Sequence, residues 1–232
     1  MVKKQLIQFL KGILAGASIA LGGFLFVIAT FLLQDDFSEL GKILGSLLFP
    51  VGLFLVCTFG FSLYTGKIGL VFEERKESRF YISLPVMLIG NAIGTLIVGY
   101  ACYFIFKDTD VMTRAIAVAN ARLDFSSYAN YLQCFIKSFL CGLCVYIAVK
   151  SFGKDRLKPI GILLLVFFVF VFVYCGFEHC VANMFYFSMA NRWTGEAFID
   201  LSLCILGNSL GTIPGVLLFK LIAKKINVAL KS

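Results

Sequence analysis

The stretch GFEHCVANM, Gly176 to Met184, sets the chain's only histidine beside a glutamate inside a long apolar run. An imidazole and a carboxylate in such a place can hold a passing anion, exchange a proton, or satisfy backbone groups. Ionisable residues within a membrane span are rare and mark pathways. Neighbouring helical positions point about 100° apart, at about 3.6 residues per turn, so the two side chains cannot both face one path. His179 is assigned to the path, where burial favours the neutral ring and leaves one N–H for an anion. Glu178 is assigned to structure, its carboxylate accepting backbone N–H groups freed at a helix break. The other polar candidates are weaker. Cys141 and Cys144 form a CxxC with no second ligand pair, so helix packing rather than a metal is expected. Lys67 can snorkel, pair with Glu73 and Glu74, or add positive field at a pore mouth, whereas Lys11 and Lys137 are expected to pack with snorkelled ammonium groups. One histidine and one carboxylate, without a nucleophile or metal ligands, make too thin a site for an enzyme, and no cofactor is expected.

These residues need a membrane scaffold. The 232-residue chain is 60% hydrophobic and 15% charged, against about 25% charged residues in soluble domains. Apolar runs near 12–33, 43–72, 80–106, 130–149, 159–190 and 197–219 read as six spans in one domain, 1–232. With the termini on the cytoplasmic side, the inner segments hold Lys3, Lys4, Lys11, Arg75, Lys76, Arg79, Lys150, Lys154, Arg156, Lys158, Lys220, Lys224, Lys225 and Lys231. The outer segments hold only Lys42, Lys107, Arg114, Arg122 and Arg192. That asymmetry is the positive-inside pattern. It makes the net charge of +8 topological rather than a nucleic-acid footprint. The first apolar run is long and lacks a cleavage site, so it is expected to remain as a span of a multi-pass protein of the cell membrane.

Runs 43–72 and 159–190 exceed a hydrocarbon core of about 30 Å, and interrupted helices are the economical reading. The breaks are placed at Phe49, Pro50, Val51 and Gly52 in the first run and at Gly176 in the second. The two runs also align. TFGFSLYTGKIG (Thr58 to Gly69) over YCGFEHCVANMF (Tyr174 to Phe185) sets Ser62 against Glu178, Leu63 against His179 and Lys67 against Asn183. LIGNAIGTL (Leu88 to Leu96) answers LGNSLGTI (Leu206 to Ile213), and KGILAG (Lys11 to Gly16) answers KSFLCG (Lys137 to Gly142). Three spans is an odd number, so the halves, about 8–106 and 122–225, are inverted repeats of the kind that build transport paths at their interface. Gly12, Gly16, Gly22, Gly90, Gly94, Gly207 and Gly211 permit close helix approach.

GFEHCVANM, together with FPVGLFLV and LYTG in span 2 and GILAGASIALGG in span 1, resembles the formate/nitrite transporter family of pentameric anion channels, over essentially the whole chain. The resemblance implies an aquaporin-like all-α protomer, without the aquaporin NPA pair, in a homopentamer with one pore per protomer. His179 then matches the pore histidine and Thr65 the threonine of the span 2 loop. Phe49, Leu53, Leu63, Val145 and Phe172 match residues of two apolar constrictions, and Arg122 matches a vestibule charge that is usually lysine. Glu178, Asn183 and Ser62 fall at the helix breaks. Departures are Ser62 for a usual glutamate, Lys67 for a usual asparagine, and Gly142 for a span 4 asparagine.

The implied substrates are small weak-acid anions, such as formate, nitrite, hydrosulfide or lactate. A bare ion in low dielectric costs tens of kcal/mol in the idealised limit. Protonating an acid of pKa about 3.9 at pH 7 costs about 4 kcal/mol, so coupled passage with a proton, as the neutral acid, is expected. The proton is gained near His179 or from water. The rival reading is an aquaporin-like channel for neutral solutes.

Overall fold

The computed structural model describes residues 2–34, 37–73, 78–154 and 159–229. Among the described residues the regular elements are all helices: α1 (Val2–Leu32), α2 (Ser38–Leu48), α3 (Pro50–Phe59), α4 (Tyr64–Lys67) with a 3-10 turn after it, α5 (Ser78–Phe106), α6 (Asp110–Asn120), α7 (Tyr128–Lys154), α8 (Pro159–Tyr174), α9 (Cys180–Met189), α10 (Gly195–Leu210) and α11 (Thr212–Ala229). Five stretches among them are long and apolar enough to span a bilayer: Lys3–Leu32, Ser38–Phe59, Tyr81–Phe106, Tyr128–Gly153 and Gly195–Lys224. The remaining expected run is divided between α8 and α9, each too short to cross by itself. Of the charges expected on the inner side, Arg75, Lys76, Arg156, Lys158 and Lys231 lie outside the described residues, as does Glu74.

At the expected break, Phe49 to Gly52, α2 ends at Leu48 and α3 opens at Pro50, but the interruption is slight. Phe49 keeps helical dihedrals, φ −53° and ψ −38°, and its N–H bonds Gly45 O at 3.0 Å. Pro50 opens α3, where a missing N–H and a fixed φ are tolerated, and the apolar stretch runs on to Phe59. The wider interruption, which the sequence reading did not place, falls at Gly60, at φ 67°, and its counterpart after α8 falls at Gly176, at φ 68°. Both need glycine, because a Cβ is strained in the left-handed region. The closing bonds match, Phe61 N–H to Val56 O and Phe177 N–H to Phe172 O, each at 2.9 Å.

Helix α1 packs along α5, and α7 along α10. Small residues set these approaches: a Cβ on Gly16 would collide with the carbonyl oxygen of Asn91, and one on Gly142 with that of Asn208. The connecting helix α6 packs against α1, α5 and α9. It buries Val111, Met112, Ala115, Val118 and Ala119, a stripe at helical spacing, and so carries Arg122 into the molecule just beyond its end. Large apolar side chains such as Leu32, Phe104, Leu163 and Leu221 face outward, the surface a lipid solvent favours.

Candidate functional site

The two helix restarts are each held by a buried asparagine. Asn91 Oδ1 accepts the Tyr64 N–H at 2.9 Å, while its Nδ2 donates to Gly12 O and Ser62 O, both at 2.9 Å. Asn208 repeats the pattern: Oδ1 accepts from Cys180 N at 2.9 Å, and Nδ2 donates to Ser138 O at 2.8 Å and Glu178 O at 2.9 Å. Hydrocarbon cannot satisfy freed backbone groups, and each amide satisfies one donor and two acceptors. Sequence reasoning aligned Asn91 with Asn208 but gave neither a role. A carboxamide at matched depth in two apolar spans was the signal.

The role expected of Glu178 and Ser62 therefore belongs to Asn91 and Asn208. Ser62 Oγ donates to Gln8 Oε1 at 2.6 Å. Glu178 Oε2 faces Arg122 Nε at 3.1 Å and accepts from Asn183 Nδ2 at 3.0 Å. Asn183 joins the cluster together: its oxygen accepts from Arg122 Nε at 3.0 Å, and its Nδ2 also donates to Asp200 Oδ2 at 2.8 Å. Arg122 lies over the Tyr186 ring, 4.5 Å from the centroid, and its Nη1 donates to Val118 O. Asp200 was missed by sequence reasoning, although an acid within a span is a signal by itself.

His179 and Thr65, 114 positions apart, meet at 2.8 Å between Nε2 and Oγ1. Both sit at helix restarts: His179 immediately precedes α9, and Thr65 is the second residue of α4. The Nδ1 of His179 accepts the Ala182 N–H at 3.2 Å. A ring nitrogen that accepts carries no proton, so the neutral ring holds its proton on Nε2 and donates it to Thr65 Oγ1. The threonine hydroxyl hydrogen is then free for another acceptor. The positive end of α9 adds to the field at this point.

Apolar residues close the approach. Phe49 and Phe172 pack edge to face with centroids 5.7 Å apart, and Phe172 lies 5.8 Å from the His179 ring. The space among Arg122, Phe49, Phe172, His179, Asn183 and Tyr186 is about 20 Å³, room for about one water. Leu53, Leu63 and Val145 are buried in the same core. On the far side, Leu63, Gly66, Lys67, Val149 and Phe152 line a larger cavity of about 330 Å³. Glu73, a candidate partner for Lys67, accepts from Tyr146 Oη and Lys150 Nζ, each at 2.7 Å. Lys137, expected to snorkel, lines a polar cavity beside Arg122.

The profile of the formate/nitrite transporter family matches residues 2–223. The transporter YrhG of Bacillus subtilis, itself uncharacterized, is 33% identical over 214 residues, 86% of this chain and 78% of the relative. The formate channel FocA of Haemophilus influenzae is 27% identical over 192 residues, 81% of this chain and 67% of that one. Among solved structures, a pentameric formate channel with formate bound superposes with a TM-score of 0.74 at 24% identity, covering 98% of both chains.

Proposed function

The chain belongs to the formate/nitrite transporter family, a family of membrane transporters and channels rather than enzymes, and we propose that it conducts small monovalent weak-acid anions, formate and nitrite foremost, across the cell membrane. The observation that carries the reading is the Thr65–His179 bond, which brings hydrogen-bond donors from two helix restarts to one buried point. The matched bonds of Asn91 and Asn208 support six spans in two inverted repeats. The basic residues favour cytoplasmic termini. The likeness to a pentameric channel supports five protomers, each with its own path.

An anion is drawn in by Arg122 and takes up a proton in the vestibule; as the neutral acid it passes Phe49 and Phe172, meets His179 and Thr65, crosses the apolar belt of Leu53, Leu63 and Val145, and leaves by the cavity at Lys67. The space beside His179 holds about one water, so the Phe49 and Phe172 rings part for each passage. His179 acts as a hydrogen-bond donor and not as the proton source. An imidazolium would set an Nδ1–H against the Ala182 N–H, and giving up the Nε2 proton would leave an imidazolate. The proton that neutralises the anion comes from water in the vestibule, at about 4 kcal/mol for an acid of pKa near 3.9 at pH 7.

Uptake into proteoliposomes tests this. Formate flux rises as the pH on the donor side falls, about tenfold per unit well above the acid's pKa, while nitrate flux stays flat. His179→Ala lowers formate flux by roughly 2- to 10-fold, the worth of about 0.5–1.5 kcal/mol for a hydrogen bond to a neutral group. Equal fluxes of formate and nitrate at every pH refute passage as the acid. Glycerol swelling without anion flux supports the neutral-solute channel instead.

A further inference from the structure

Beside the vestibule lies a second polar cavity, walled in part by Arg122, Gln133, Cys134, Lys137, Glu178 and Asp200. Three buried side chains from two neighbouring helices converge at its edge. Cys134 Sγ is 3.6 Å from Asp200 Oδ1, and Cys204 Sγ is 3.7 Å from Asp200 Oδ2. The three ligand atoms lie within 4.8 Å of one another. A tetrahedral zinc ion, with Zn–S about 2.3 Å and Zn–O about 2.0 Å, has S···O edges of about 3.5 Å. Each sulfur stands close to that spacing from one carboxylate oxygen, Cys134 from Oδ1 and Cys204 from Oδ2, so a turn of the Asp200 carboxylate brings a single oxygen toward both.

We propose that Cys134, Asp200 and Cys204 form a site for a thiophilic divalent cation of the Zn²⁺ class, with a fourth position open to the cavity. Two thiolates and a carboxylate are the donor set that soft and borderline ions select. Binding forms two metal–sulfur bonds and one metal–oxygen bond, and the two thiol protons leave to water. The bound unit carries one net negative charge, and Arg122 and Lys137 line the same cavity. Cys134 lies six residues into α7 and Asp200 five into α10, about 9 Å and about 7.5 Å along the respective axes at 1.5 Å per residue. An ion from the vestibule side therefore has a short polar route. The CxxC of Cys141 and Cys144 has no carboxylate in such a group among the described residues.

Occupancy reaches the transport path through one residue. Asp200 Oδ2 now accepts from Asn183 Nδ2 at 2.8 Å, and the Asn183 oxygen holds Arg122 at 3.0 Å. A cation that takes this oxygen loosens Arg122 and slows anion capture. The site itself does not depend on which solute is carried, because binding is measured without transport.

The full chain, stripped of metal and purified in detergent, is titrated with Zn²⁺ against a chromophoric chelator. One site per chain is expected, and Cys134→Ser or Cys204→Ser weakens it by at least the roughly tenfold that even an outer-shell partner is worth. Replacing Cys141 and Cys144 by Ala leaves it intact. Cd²⁺ adds a thiolate-to-metal ultraviolet band to the unaltered chain and not to the Ser variants. Zn²⁺ slows formate uptake and a chelator restores it. Absence of binding, or unchanged affinity in the double Ser variant, overturns the proposal. If the Ser variants do not stay assembled, maleimide labelling of the unaltered chain decides: Zn²⁺ protection of Cys134 and Cys204 supports the site, and equal labelling with and without Zn²⁺ refutes it.

Discussion

Replacing Asn208 by leucine is the sharpest perturbation of the scaffold around His179. The side chain is fully buried and makes three hydrogen bonds, from Cys180 N and to Ser138 O and Glu178 O. Leucine has similar volume and none of these groups. It leaves one N–H and two carbonyls in an apolar interior, where each stranded group costs about 1–3 kcal/mol. The carbonyls retain a second lone pair each and sit at the low end, so the sum is about 3–6 kcal/mol. For a chain of this length, 1 kcal/mol corresponds to about 2–4 °C in Tm, which places the expected loss at about 10–20 °C. Asn91→Leu strands the same three kinds of group, Tyr64 N–H with Gly12 O and Ser62 O, and should match it to within about 1 kcal/mol. The assay is thermal loss of the assembled peak in size-exclusion chromatography, followed at both positions. A shift of no more than about 2 °C for either variant would refute the assignment of the asparagines as the groups that hold the breaks.

Two further outcomes follow from the same geometry. Arg122→Gln removes the only cation seen within hydrogen-bond reach of the buried Glu178 among the described residues and is expected to destabilise by about 3–5 kcal/mol; Tm loss at pH 7, smaller in Arg122→Gln with Glu178→Gln, checks it. Gly142→Ala drives a methyl group into the carbonyl of Asn208, and overpacking of this kind costs about 1–3 kcal/mol; a matching loss for Gly16→Ala, whose Cβ meets Asn91, is read from the same melting curves.

Gly142 illustrates how far a family pattern carries. It stands where the family usually has an asparagine, and it sits where α7 must approach the backbone of Asn208. Lys67, for which the sequence left three roles open, lines the larger cavity with Leu63 and Phe152. The break at Gly60 is encoded in the same alignment that pairs it with Gly176, whereas Pro50 marks only a slight one. Proline marks a helix end only where its missing N–H cannot be spared, and at the first position of α3 it can be.

The sequence by itself determined the solvent, the polar positions within the apolar runs, the correspondence of the two halves, and the family. All of these depend on composition or on residues close together in the chain. The tertiary structure alone decided the partners. Glu178 holds Arg122, the asparagines hold the breaks, Asp200 joins the cluster, and His179 carries its proton on Nε2 facing Thr65. The reason is physical: in a medium with no water to fall back on, each polar group must find its complement wherever the packing of helices supplies one. Apart from the Ala182 N–H, those complements come from helices far apart in sequence, and no local spacing encodes which helix arrives.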